Sequence, residues 1–307
     1  MAIVVIGTVF VDIKGFPFGN FIPRGRNAGA VQFVHGGVGR NVAEDIANLE
    51  LKPVFVSMVD DTAQGEDVLK KLRNHKINTD YVIVEPDGMG LWLAVFDETG
   101  DVVSAISKRP DMQPLRELIE EKGDEMFSAA DSIVIELDID NALVSSVLRF
   151  AEKYGKRVYG LVANMSIASG RRDFVKRTDC FICNRQEAEI LFLEDFSPYA
   201  PEQLPELLYS RIKAAGIKSM IMTLGGDGAA YASANGERGL CPAKKVNVKD
   251  TTGAGDAFCA GAAAGLTCGK TLSQAAEIGT KLAASVITIN ENVCPRFQPE
   301  ELGIYAQ

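Results

Sequence analysis

The sequence predicts an α/β protein: a doubly wound, mostly parallel sheet with helices on both faces and a small inserted β-sheet lid. Three observations carry this expectation. Short β-branched runs are apolar almost throughout rather than alternating, as strands buried on both faces are. Helical patterns of ordinary length separate them. Two segments, 10–34 and 89–107, break the rhythm without any helical period.

In chain order, strands are expected at 2–6, 54–58, 132–136, 157–162, 180–183 and 218–223. Helices are expected at 39–50, 63–75, 140–154, 186–193, 201–215, 254–267 and 271–289. Segment 89–107 reads as a hairpin, Leu91–Phe96 and Val102–Ile106 around a turn at Asp97–Asp101. Strands without intervening helices do not belong in a βαβ series. Segments 10–34 and 89–107 are therefore assigned to a lid inserted into a single domain spanning 1–307.

Charge and composition narrow the function. The chain of 307 residues carries 32 Lys+Arg against 41 Asp+Glu, a net charge of -9. Such a chain lacks the basic surface that a nucleic acid polymer or an anionic membrane requires. No run approaches a membrane span, and residues 1–7 read as a buried strand entering a turn rather than a signal peptide. Six cysteines scattered over 180–294 are too sparse for a disulfide framework, so a cytoplasmic location is expected. Cys180 and Cys183 form a lone CxxC inside an apolar run, better read as a buried strand than as a redox or zinc site. With only His35 and His75, a His-rich metal site or a Ser-His-Asp triad is hard to build.

Glycine is concentrated in two places. Gly36-Gly37-Val38-Gly39-Arg40-Asn41 precedes a helical pattern, where bare backbone lets N–H groups approach a ligand and Asn41 can bond a hydroxyl. A simple tight turn into a helix is an equally good reading of that stretch alone. The second cluster, Asp250-Thr251-Thr252-Gly253-Ala254-Gly255-Asp256, follows a strand-like charged segment, 244–249, and opens a helix of very small residues. Small residues at 253–255 allow consecutive N–H groups to converge on an anion, reinforced by the helix dipole. Asp256 beside such a site repels a phosphate. The role that fits is a base removing the proton from a hydroxyl that attacks the phosphate. A dinucleotide fingerprint fails because Phe258 stands where its third glycine belongs, and Gly269-Lys270-Thr271 lacks the first glycine of a Walker loop.

Taken together, the clusters resemble the signatures of the ribokinase-like (PfkB) carbohydrate kinases. Gly36-Gly37-x-x-x-Asn41 is similar to the N-terminal signature and Asp250 through Asp256 to the C-terminal one. Asp12, Asn184-Arg185-Gln186-Glu187 and Thr223-Leu224-Gly225-Gly226-Asp227-Gly228 stand in the family's order. The resemblance implies Asp256 as catalytic base, with Gly253, Ala254 and Gly255 as its anion hole. It implies sugar contacts from Asp12, Gly36, Gly37 and Asn41, and ATP contacts from Asn184, Thr223, Gly225 and Gly228. Glu187, with Asn184, would hold Mg²⁺ through water, and Asp250 and Thr252 would face a monovalent cation such as K⁺. The lid would also form a homodimer interface.

The match has departures. Ile289–Pro295 replaces a Gly-Ala segment common in ribokinases, and Val162-Ala163-Asn164 lacks an Asp that many members carry. Gly36–Glu44, Leu91–Gly100 and Ala284–Thr288 look most like pseudouridine kinases of the same family. The expected activity is ATP-dependent phosphorylation of a sugar or nucleoside hydroxyl, with pseudouridine as the leading acceptor. A ribokinase or fructokinase type is the alternative within the class, and a non-catalytic sugar- or nucleotide-binding regulator the alternative outside it. A Rossmann dehydrogenase is disfavoured by Phe258.

Overall fold

The structure, a computed structural model, describes residues 1–163, 170 and 172–304. A large sheet contains β1 (Ile3–Ile6), β4 (Val54–Val59), β5 (Asn78–Val84), β8 (Ser132–Glu136), β9 (Arg157–Leu161), β10 (Cys180–Asn184), β11 (Ser219–Thr223), β12 (Ala229–Ser233) and β13 (Arg238–Cys241). Their order is β13-β12-β11-β10-β9-β8-β1-β4-β5. All neighbours are parallel except β12 against β11 and β13. A second sheet, ordered β3-β2-β6-β7, comprises β2 (Phe10–Pro17), β3 (Gly29–Gly36), β6 (Gly90–Phe96) and β7 (Val102–Lys108). It is antiparallel apart from its central β2–β6 pair.

Alternation along β1 shows how the core is divided. Ile3 and Val5 enter one buried cluster and Val4 and Ile6 the other. The first cluster is covered by α1 (Val38–Ala47), α2 (Ala63–Asn74), α8 (Ala254–Thr267) and α9 (Leu272–Val286). The second is covered by α3 (Gln113–Ala129), α4 (Asn141–Tyr154), α5 (Arg172–Arg177), α6 (Arg185–Phe192) and α7 (Leu204–Ala215). Both faces being covered is why the strands read as continuous apolar runs. No helix among the described residues is long and apolar enough to cross a membrane.

Several elements differ from expectation. Helix α3 was not anticipated; Gly123 and a run of charged residues obscure its period, yet Leu115, Ile119, Met126 and Phe127 are buried along it. Gly123 is there because a Cβ would come within 2.5 Å of the Phe150 ring. Strand β5 and the antiparallel strands β12 and β13, β13 forming one edge of the sheet, were also missed. Conversely, 244–249 forms no strand but a connection into the second glycine cluster. Asn164 lies outside the described residues.

The sheet order fixes where a ligand can go. From β1 the chain runs outward through β4 and β5, then returns to the opposite side of β1 at β8. The carboxyl ends of β1 and β8 therefore form a topological switch point, where crevices open in doubly wound sheets. Gly7, Thr8 and Glu136 lie at that end.

Candidate active site

Helix α1 starts at the switch point because its entry glycines allow close approach. Gly37 has φ 96°, and a Cβ on it would sit 2.4 Å from the Thr8 carbonyl oxygen. Glu136, at the end of β8, accepts from the Thr8 N–H at 2.9 Å and hydroxyl at 3.0 Å, and from the Gly39 N–H. Burial, and then the neighbouring Asp138 charge, push the Glu136 carboxyl up to about 8. Asp138 accepts from Ala163 N–H at 2.8 Å and pairs with Arg109, just beyond β7, at 3.1 Å. Neither Glu136 nor Asp138 was singled out from sequence. A lone acid closing an apolar strand reads as a strand terminator, although two acids there were the available signal.

Arg40 is fully buried and ties α1 to the small sheet. Its guanidinium donates to the Gly36 and His35 carbonyls and pairs with Glu44 at 2.8 Å. Lys71 adds a second cation at 3.5 Å from Glu44, and together these hold the Glu44 carboxyl below its ordinary value despite burial. His35 faces Asp67 at 3.3 Å, and His75 faces Asn48 at 3.0 Å, so both histidines are structural. Asp12 on β2 points toward the Gly36 backbone, where a Cβ would meet its carboxylate at 2.8 Å. Burial raises the Asp12 carboxyl, opposed by Lys14 and Arg40.

The second cluster converges on the first. Gly253 is the N-cap of α8 with φ 80°, and a Cβ on it would lie 2.1 Å from the Asn292 carbonyl oxygen. The Ala254 N–H is spent on the Thr251 carbonyl at 3.2 Å, and the helix ladder begins with Ala257 N–H to Gly253 carbonyl. The N–H groups of Gly255 and Asp256 thus precede the ladder, and among the described residues nothing crowds Gly255 within 4 Å of a Cβ position. Beneath, Gly261 meets Gly279 of α9 at 3.0 Å from a Cβ, so the tiny residues do permit close helix packing.

The two signatures meet through one hydrogen bond: Asn41 Nδ2 donates to Asp256 Oδ2 at 2.6 Å. Burial pushes the Asp256 carboxyl up to about 6, with the Asn41 bond and then Arg40 opposing the rise. An aspartate with its pKa near neutrality at a helix N-terminus is suited to accept a proton.

On the other side, Asn184 and Glu187 form a capping box at the start of α6. Asn184 N–H donates to Glu187 Oε2 at 2.7 Å and Glu187 N–H to Asn184 Oδ1 at 2.9 Å. Burial, and then repulsion from Asp138 and Asp256, raise the Glu187 carboxyl to about 7, the Asn184 bond opposing. Thr223 ends β11 with its hydroxyl 3.5 Å from the Cys183 carbonyl. Gly225 and Gly228 take positive φ, 59° and 98°, in the turn that follows. Among the described residues, Gly225 and Gly226 have nothing within 4 Å of a Cβ position, so side chains leave this turn uncovered. Asp250 Oδ1 accepts from Thr252 N–H at 2.9 Å and hydroxyl at 2.8 Å, which lowers the Asp250 carboxyl. Cys180 and Cys183 are buried in β10, burial pushing the Cys180 thiol up to about 12, so neither is poised for thiolate chemistry.

Comparison with known proteins agrees with this geometry. The chain matches the pfkB family carbohydrate kinase over residues 2–291. The guanosine-inosine kinase of Exiguobacterium acetylicum is 35% identical over 292 residues, covering 94% of this chain and 95% of the relative. The pseudouridine kinase of Escherichia coli (strain K12) is 27% identical over 263 residues, covering 85% and 82%. The structure of Arabidopsis thaliana ribokinase complexed with ribose and ATP superposes with a TM-score of 0.82 at 20% identity, covering 100% of both chains. Fold and site thus define a kinase that uses an alcohol of a small molecule as acceptor. The chain belongs to the PfkB family of carbohydrate and nucleoside kinases.

Proposed function

We propose that the protein transfers the γ-phosphate of ATP to a ribose hydroxyl of a ribonucleoside, with Asp256 as base. The single observation that supports this most is the Asn41–Asp256 hydrogen bond, which joins the acceptor-side glycine cluster to the helix N-terminus. Asp12, Gly36, Gly37 and Asn41 hold the acceptor's hydroxyls, and Asp256 takes the proton from the attacking one. Gly253, Gly255 and Asp256 N–H groups meet the transferred phosphoryl group, the Ala254 amide being engaged elsewhere. The uncovered turn at Gly225 and Gly226, with Thr223, Gly228 and Asn184, lies along the ATP phosphates.

The acids present suit a hard cation, since the Asp138 and Asp256 charges add to burial in raising the Glu187 carboxyl and a cation relieves that repulsion. Asn184 and Glu187 would hold Mg²⁺ through water; when bound, it neutralises charge on the phosphates. A monovalent cation such as K⁺ beside Asp250 and Thr252 would draw on oxygens other than Asp250 Oδ1, which Thr252 already occupies.

A nucleoside rather than a free sugar is favoured by the small sheet. Asp12 pairs across strands with Trp92, placing the indole on the carboxylate's face. Phe96 meets Trp92 edge-on at 6.4 Å and stacks on Phe16 at 4.7 Å. Such an aromatic shelf beside a sugar-holding carboxylate suits a stacked base. The purine relative at 35% identity and the pseudouridine relative at 27% both take nucleosides by name. Trp92→Ala is expected to raise KM for guanosine, inosine or pseudouridine about tenfold and leave free ribose unaffected. An unchanged nucleoside KM in steady-state assays would refute the shelf.

The opposite face of the small sheet carries an in-register apolar row, Phe33, Ile13, Leu93 and Ile106. Phe33 is 60% and Ile106 68% exposed, too apolar a face for water. We read it as the contact between two copies in a homodimer. Ile106→Asp is expected to shift sedimentation from dimer to monomer; a monomeric unaltered protein would rule the contact out.

A further inference from the structure

Behind the proposed base lies a buried acid with no part in the proposed transfer. Asp45 is fully buried on α1, one helical turn beyond Asn41 and on the same face. Its Oδ1 accepts the Cys294 N–H at 2.6 Å. Among the described residues, its Oδ2 has no hydrogen-bond partner, and neither does Asn41 Oδ1, itself buried; the Cys294 thiol also lies against the Asp45 carboxyl. Two orphaned acceptors on adjacent turns, away from water, are costly when both lack a donor. One proton placed between them satisfies both.

We propose that Asp45 is a neutral carboxylic acid whose Oδ2–H donates to Asn41 Oδ1, locking the amide so that Nδ2–H stays on Asp256. The result is a buried relay of hydrogen bonds, from Asp45 through the Asn41 amide to Asp256. Without the first donor, the amide can turn and set its oxygen against the Asp256 carboxylate, two acceptors facing each other. Burial favours the neutral form of Asp45, and the facing charges of Asp256 and Glu44 add to it. The other titratable groups facing this pair are Arg40 on α1, Glu187 on α6, Cys259 on α8 and Cys294. Asp45 is thus a positioning residue that acts through Asn41. The inference rests on Asp256 being the base.

The test separates this role from the anchoring of Cys294. Asp45→Asn keeps a donor toward Asn41 and an acceptor toward Cys294, and should retain kcat/KM within about twofold. Asp45→Leu should lower kcat/KM and move the acid limb of its pH profile upward by about one pH unit, because Asp256 loses a donor that favours its charged form. An ionised Asp45 predicts the reverse: its removal relieves repulsion and moves the limb down, and the Asn variant fares no better than the Leu variant. An unmoved limb with loss of rate reduces Asp45 to an anchor and also overturns the proposal. Where the Leu variant does not fold, ¹³C NMR of the unaltered protein decides: the Asp45 Cγ should keep the carboxylic-acid shift across roughly pH 6 to 8, and a carboxylate shift there overturns the proposal. That readout involves no turnover, so it stands even if Asp256 proves not to be the base, which a fully active Asp256→Asn variant would reveal.

Discussion

Replacing Asp256 by asparagine is expected to lower kcat roughly a thousandfold or more while leaving the thermal midpoint within a few degrees. The amide cannot take the hydroxyl proton, yet it fills the same space at the start of α8 and can still meet Asn41. Nucleotide affinity, measured by calorimetry, should change little, because the proposed phosphate contacts come from backbone N–H groups and cations. The same assignment fixes a pH dependence. With the Asp256 carboxyl pushed up to about 6, the base is charged above that value, so kcat/KM should fall about tenfold per unit of pH below it. A rate profile flat through this range would exclude Asp256 as the titrating base.

Gly253→Ala carries the second large effect. At φ 80° a Cβ is strained, and here it would also lie 2.1 Å from the Asn292 carbonyl oxygen. Relief requires the start of α8 or the Asn292 segment to move, and the latter is pinned by Asn292 Nδ2 on the His35 carbonyl at 2.8 Å. Displacing the N–H groups proposed to face the phosphoryl group should cost about a hundredfold in kcat. The unfolding midpoint should fall as well, by an amount corresponding to about 1–3 kcal/mol. Gly255→Ala is the control: among the described residues nothing lies within 4 Å of its Cβ position, so its stability should be near normal.

What the sequence disclosed follows from where the physical signal is local. β1, β8 and β11 are buried on both faces and announced themselves as apolar runs. β12 did not: Ala229, Ala230 and Ala232 have little strand preference, and the strand forms by pairing with β11 and β13 on either side. The glycines at 37 and 253 were legible because close approach and positive φ leave few other choices. Asp256 stood out because a carboxylate in the first turn of a helix opened by small residues calls for a reason, and its role as base remains the proposal. The bond between Asn41 and Asp256 spans 215 residues of chain and has no local signature. Nor did Glu136, Asp138 or Asp45, whose importance depends on burial and on neighbours supplied by other elements. Asn184 and Glu187 were read as metal-side groups; their capping box gives them a structural task that coexists with that proposal.

The most direct test of the central claim is phosphoryl transfer itself. Purified protein with ATP and Mg²⁺ should be assayed for ADP release and for a phosphorylated product against guanosine, inosine, pseudouridine, ribose and fructose. At least one ribonucleoside should be phosphorylated, with kcat/KM at least tenfold above either free sugar, and Asp256→Asn should abolish the product. Phosphorylation of ribose or fructose with no nucleoside turned over would contradict the acceptor, and undiminished product from Asp256→Asn would contradict the mechanism.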